Sequence, residues 1–310
     1  MTKAVVAGGT GFIGRAVVQE FLANGHEVVV LSRKPGALQG ASVVLWDGAT
    51  LGPWTADLEG AGALVNLSGA SILARWTEGH KRAMRESRIG VTALLSQAVA
   101  KCAVPPSSWV NASAVGYYGD TGDRRTGESA KPGQGYLADM CVQWEQAMNR
   151  EPTPLTAKCA VRIGYVLGRG GPGFESLAKA TKLFLGGPLG SGRQYMPWIH
   201  LTDLARMIVW AAERNETGPV NGTAPNPVTN AELMAAFRRV YGRPPALPVP
   251  GFVLSVLSAA MGWPHDLLTA SARVVPEAAL AKGFDFTFPT IGSALADLAD
   301  GTPEPWRGQV

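Results

Sequence analysis

Short apolar runs alternate with amphipathic stretches along most of this chain. Residues 4–7, Ala4-Val5-Val6-Ala7, are wholly apolar and read as a buried-type strand. A glycine-rich turn follows, and residues 15–22 continue as a helix. The same pattern places further strands at 26–31, 43–46, 63–67, 109–112 and 159–163, with a last one at 219–223. Residues 80–101 read as one long helix, because Met84, Ile89, Val91, Leu94, Leu95, Ala98 and Val99 recur on a helical period. Helices are also expected at 174–185, 201–214, 230–241, 252–261 and 276–282, with a proline-rich linker at 243–250. Alternating strands and helices with short Gly/Pro turns predict an α/β fold: a doubly wound parallel sheet carrying a smaller, mixed C-terminal lobe. Residues 1–165 plus about 195–225 would form the main domain, and residues 166–194 and 226–310 the cap that walls a substrate cleft.

The turn after the first strand is Gly8-Gly9-Thr10-Gly11-Phe12-Ile13-Gly14. Its Gly-x-x-Gly-x-x-Gly spacing, between a strand and a helix, is that of a turn that cradles a pyrophosphate. Gly8 allows the tight turn, Gly11 lets backbone approach the phosphates, and Gly14 lets the helix pack on the strand. The free N–H groups and partial positive charge of the helix N-terminus then face the anion. The second strand ends in Ser32-Arg33-Lys34, where an NAD site usually places an acid for the ribose 2′-hydroxyl. Arg33 lies 25 residues after Gly8 and can pair with a 2′-phosphate, a charge-assisted contact worth about 1.5–3 kcal/mol. The expected cofactor is therefore NADP(H). Asp47, after the third strand, either meets the adenine edge or caps the next turn. Leu67-Ser68-Gly69, after the fourth, would let backbone pass close to the cofactor.

Composition narrows the remaining classes. Hydrophobic residues make up 46% of the 310 residues and charged residues 17%, which fits a folded, enzyme-sized protein. The net charge of +4 is small and spread out, with no basic run interleaved with aromatics, so nucleic acid is not an expected partner. The longest apolar stretch, 252–263, is shorter than the roughly 20 residues of a membrane span, so no membrane partner is expected either. Cys102, Cys141 and Cys159 are scattered and form no metal-ligand cluster with the histidines; no metal is expected, and reduced thiols point to the cytoplasm. The expected partner is a small-molecule substrate, and a homodimer is compatible with the sequence.

Several longer motifs carry a family resemblance. They are Gly8 to Gly14, Asn66-Leu67-Ser68-Gly69-Ala70, Ser113-Ala114-Val115-Gly116-Tyr117-Tyr118-Gly119, Arg162-Ile163-Gly164 and Trp198-Ile199-His200-Leu201-Thr202-Asp203. With these the chain resembles the extended short-chain dehydrogenase/reductases, in an atypical, epimerase-like branch with a C-terminal domain of unknown function. The resemblance implies a Rossmann domain and an active site built from a serine, a tyrosine and a lysine four residues after the tyrosine. Ser113 matches the serine and Tyr136 the tyrosine, but Met140 stands at the lysine position.

That departure has chemical consequences. A free phenol has a pKa near 10, so about one in a thousand is ionised at pH 7, and only a neighbouring cation favours the phenolate. Without the lysine, Tyr136 is a poor general base yet can still donate a proton to a carbonyl that receives hydride. Tyr117 is a second candidate acid, and Ser113 would hold the carbonyl oxygen. Tyr136 could equally be a helix-start aromatic without a catalytic role. The resemblance also implies an arginine for a sugar-nucleotide pyrophosphate where this chain has Met196, the nearest being Arg193. The expected function is an NADP(H)-dependent oxidoreductase acting on a small carbonyl or hydroxyl compound. The alternatives are a non-catalytic NADP(H) sensor and a sugar-nucleotide epimerase or dehydratase.

Overall fold

A computed structural model describes residues 2–264 and 266–300; His265 and residues 301–310 of the expected lobe lie outside these. The first half of the chain runs β1 (Lys3–Ala7), α1 (Phe12–Ala23), β2 (Glu27–Ser32), β3 (Ala41–Leu45), β4 (Ala63–Asn66), α2 (Glu78–Arg85), α3 (Val91–Ala100), β5 (Ser108–Ala114) and α4 (Tyr136–Met148). It continues with β6 (Ala157–Ile163), β7 (Tyr165–Leu167), α5 (Pro172–Lys182), β8 (Tyr195–Met196), β9 (Trp198–His200), α6 (Leu201–Glu213) and β10 (Gly218–Gly222). The remainder is β11 (Val228–Thr229), α7 (Asn230–Val240), α8 (Gly251–Met261), α9 (Asp266–Thr269), α10 (Glu277–Ala281) and α11 (Ile291–Ala299).

Seven strands form one sheet in the order β10-β6-β5-β4-β1-β2-β3, and all their pairings are parallel. Apolar residues fill both faces. Ala4, Val6, Val28 and Val30 pack with α1 and α6 on one side, while Val5, Ala7, Val29 and Leu31 pack with α3 on the other. This double burial explains why these strands read as continuous apolar runs rather than as alternating ones. Each fully buried valine or leucine contributes about 1.5–3 kcal/mol of transfer free energy. Phe174, Trp198, Leu233, Phe237 and Leu295 build a separate core for the small lobe. Short pairs, β7 with β9 and β8 with β11, carry the chain between the two bodies. Ala279 and Phe284 return to the core of the large sheet, so the segment around α10 braces its β10 edge.

The structure departs from the sequence pattern in three places that matter. The helix expected over 80–101 is interrupted by a π-helical turn, Glu86–Gly90, between α2 and α3. The helix expected to reach residue 185 stops at Lys182, because Phe184 adopts a left-handed conformation (φ 63°) and the Leu185 N–H bonds back to Ala180. Helix α11, capped by Thr290, has no counterpart among the sequence expectations.

Candidate functional site

The glycine turn forms the floor of a cleft at the C-terminal ends of the sheet strands. Gly8 has φ 80°, and a Cβ there would lie 2.9 Å from the Leu67 carbonyl carbon. A Cβ on Gly14 would fall 2.2 Å from the Gly8 oxygen, so α1 can approach β1 this closely only with glycine. At Gly11 the nearest atom would be the Gly8 oxygen at 3.3 Å, so that side of the turn is open. Gly11 caps α1 without a side-chain acceptor, and Arg15 makes the first helical bond, to the Gly11 oxygen. The N–H groups of Phe12, Ile13 and Gly14 therefore lack intrahelical acceptors, and no acid stands in the first turn. That arrangement suits an anion. The Phe12 ring itself packs against the Gly168–Gly171 turn, so it is the Phe12 backbone that faces the anion site. Thr10 is exposed, its carbonyl accepting from Arg15.

The residues at the end of β2 divide their work. Ser32 is buried and shapes the turn, donating its hydroxyl to the Lys34 oxygen at 2.8 Å. Arg33 and Lys34 are exposed, and among the described residues neither has an ion-pair partner. Asp47 takes the turn-capping role of its two expected ones. It accepts from the Ala49 and Thr50 N–H groups and the Thr50 hydroxyl, which hold its carboxyl down at about 2.

The candidate catalytic residues do not form the expected triad. Ser113 is only 2% exposed and donates its hydroxyl to Glu145 Oε1 at 2.7 Å. Glu145 also accepts from Arg162, through Nε at 2.8 Å and Nη2 at 2.9 Å. The β5–β6 register, which sets Ser113 opposite Arg162, brings the three together. The other end of the Arg162 guanidinium donates to the Tyr118 hydroxyl at 2.8 Å, which in turn donates to Asn221. Burial pushes the Tyr118 phenol up to about 12. Sequence reasoning missed this network. Its signal was Arg162 inside the apolar run Cys159-Ala160-Val161-Arg162-Ile163, a charge that a sheet interior tolerates only when paired.

Tyr136, at the start of α4, lines the same cleft as Ser113, but its hydroxyl donates to the Lys81 carbonyl at 2.9 Å. Its ring meets Trp76 edge-on. Met140, at the position of the missing lysine, is 2% exposed and lines the cleft. Tyr117 is displaced from the expected role, because its ring lies 3.5 Å under the Arg162 guanidinium and Tyr118, not Tyr117, borders the cleft. Backbone atoms of Leu67 and Ser68 pass close to Gly8, and Leu67, Ser68 and Gly69 all line the cleft.

The cleft encloses about 2030 Å³, beyond the 300–1,000 Å³ common for one small ligand. Its far wall is largely apolar, from Ile72, Leu73, Trp76, Met196, Trp263 and Leu267. Among the described residues no cluster of His, Cys, Asp and Glu could hold a metal, and no helix is long and apolar enough to cross a membrane.

The parallel sheet, the glycine turn and the cleft at the strand ends define an α/β protein of the Rossmann type. The chain belongs to the NAD dependent epimerase/dehydratase family, whose model matches residues 4–224. Residues 249–298 match a domain of unknown function, DUF1731. Human epimerase family protein SDR39U1 is 36% identical over 302 residues, covering 96% of this chain and 99% of that protein. The epimerase family protein MT2273 of Mycobacterium tuberculosis is 38% identical over 301 residues, covering 95% and 97%. The crystal structure of human SDR39U1 (isoform2) with NADPH matches with a TM-score of 0.87 at 37% identity, covering 96% of this chain and 99% of that one.

Proposed function

We propose that this protein binds NADP(H) and transfers hydride between it and a small carbonyl or hydroxyl compound. The observation that carries the reading is the open, uncapped start of α1, which shares one cleft with Ser113 and Tyr136. The pyrophosphate would lie on the N–H groups of residues 12–14, and the 2′-phosphate beside Arg33 and Lys34. NADPH in the crystal structure of a 37% identical relative supports the same choice. The cofactor supplies the hydride. Tyr136 would supply the proton once its hydroxyl leaves the Lys81 carbonyl. Ser113, whose own proton goes to Glu145, offers lone pairs to a substrate hydroxyl. The three free cysteines go with a cytoplasmic, reducing location.

A second reading is a non-catalytic NADP(H)-binding sensor. It is favoured by the buried Met140 and by the Tyr136 hydroxyl being engaged away from Ser113. One experiment separates the two. Titration should show tighter binding of NADPH than of NADH, and a broad carbonyl screen that follows NADPH absorbance should show turnover lost in Tyr136→Phe. Tighter NADH binding would sink the cofactor assignment. NADPH binding without turnover on any carbonyl would favour the sensor, and turnover unchanged in Tyr136→Phe would remove Tyr136 from the chemistry.

A further inference from the structure

We propose that Arg88 is a cofactor-binding residue that supplies, from a different helix, the cation missing at Met140, and that its guanidinium holds the nicotinamide-side ribose. The proposal rests on the NADP(H) reading above.

Arg88 sits in the middle of the π-helical turn Glu86–Gly90. One extra residue in that turn shifts the helical register, and such turns recur at functional sites. Arg88 lines the cleft. A Cβ on Gly69, just past the end of β4, would lie 3.1 Å from the Arg88 Cζ and 3.2 Å from Nη2, so the guanidinium packs closely against the backbone there. The guanidinium also lies over the ring of Trp144, with Cζ 5.2 Å from its centroid. Trp144 is four residues after Met140 on α4 and hence on the same helix face. Arg88 is thus held between the β4 loop and the helix that carries Tyr136 and Met140.

Among the described residues its charge has no acidic counterpart. Among the described residues Arg88 makes one hydrogen bond, from Nη1 to the Met84 carbonyl at 3.3 Å, and no ion pair. The titratable groups facing it are Cys141 and Tyr136, neither of them a carboxylate. Burial pulls its guanidinium below the ordinary value for arginine. Arg162, the buried cation of β6, has Glu145. Arg88 is half-buried, and without an acid its remaining N–H donors are left for a ligand that accepts hydrogen bonds.

The sheet order says which part of the cofactor that is. With the pyrophosphate over β1 and the adenosine phosphate at the end of β2, the other half of the dinucleotide crosses toward β4 and β5. Gly69 and Ser113 follow or end those strands, and Arg88 lies between them and α4. A guanidinium with five N–H donors can serve both ribose hydroxyls at once. Its charge has a further effect there. The oxidised nicotinamide ring is cationic and the reduced ring is not, so an unpaired arginine beside it makes the site bind NADPH in preference to NADP⁺. At the pyrophosphate, which has the same charge in both forms, it would not discriminate.

The test uses the full chain. NADPH binding is followed by cofactor fluorescence and NADP⁺ binding by competition, with thermal melts as the folding control. Arg88→Met should weaken NADPH binding by about tenfold or more, and lower the ratio of the NADP⁺ to the NADPH dissociation constant. Arg88→Lys should retain most of both, and adding Met140→Lys to Arg88→Met should restore the ratio. If Arg88→Met does not fold, Arg88→Gln is read in its place. A folded, uncharged variant that binds NADPH within about twofold of wild type, with the same ratio, overturns the assignment of Arg88 alone. Wild-type protein that binds neither form overturns the cofactor reading, and this assignment with it.

Discussion

The hydroxyl of Ser113 donates to Glu145, and the same Glu145 oxygen accepts from Arg162 Nε. The carboxylate thus fixes a serine at the end of one strand to an arginine of its neighbour. Arg162 is 3% exposed, and its charge depends on Glu145 as the acid it contacts. Glu145→Gln keeps the shape but leaves the guanidinium buried without a counter-charge. Breaking a buried pair from one side costs about 3–5 kcal/mol. The melting temperature should fall by roughly 5–10 °C, measured by circular dichroism. Ser113→Ala removes one neutral-to-charged bond and should cost less, about 1.5–3 kcal/mol. Equal losses in the two variants would show that the network is not centred on the carboxylate.

The three spaced glycines have different tasks, and alanine substitutions separate them. At Gly14 the new methyl carbon would lie 2.2 Å from the Gly8 oxygen, in the backbone of the turn itself. Gly14→Ala should therefore destabilise the fold by about 1–3 kcal/mol or more and abolish NADPH binding with it. At Gly11 the methyl would meet only the Gly8 oxygen, at 3.3 Å. Gly11→Ala should unfold within about 1 kcal/mol of wild type yet lose NADPH affinity, because the methyl occupies the space that a phosphate needs. Denaturant unfolding and fluorescence titration read the two quantities separately. A Gly11→Ala variant with normal affinity would place the phosphates elsewhere.

The glycine turn was legible because its constraint is local: a positive φ at Gly8 and a close approach at Gly14 involve residues within one strand, turn and helix. The strands were legible for a similar reason, since runs such as Val28-Val29-Val30-Leu31 are apolar on both faces. What the sequence hid depends on distant partners. The Ser113–Glu145–Arg162 network needs the β5–β6 register, although Arg162 in an apolar strand hinted at it. The hydrogen bond from Tyr136 to the Lys81 carbonyl spans 55 residues, and no spacing announces it. The π turn at residues 86–90 was hidden because apolar residues before and after it both fit a regular helical period. The end of α5 turned on Phe184 adopting a conformation that glycine usually takes, which a propensity reading assigns to helix.

His200 gives the protein a pH limit that follows from its place in the fold. It is 1% exposed, caps α6 by accepting the Thr202 N–H at Nδ1, and stacks on Phe288. Its Nε2 lies 3.4 Å from Asp297 Oδ2 without a well-directed hydrogen bond. Burial is the main cause that lowers its pKa from 6.5 to about 4; Arg169 adds to the shift and Asp297 opposes it. The positive end of the α6 dipole acts in the same direction as burial. The sign follows from linkage. Between pH 6.5 and 4 the unfolded chain takes up a proton at this histidine and the folded chain does not, so stability falls as pH falls through that window and is fully present above it. His200→Asn keeps an oxygen acceptor for the Thr202 N–H but cannot titrate. The variant should melt at a lower temperature than wild type at pH 7, and its melting temperature should change less between pH 7 and pH 4. Parallel melting profiles for the two proteins over that range would assign the acid sensitivity to another group.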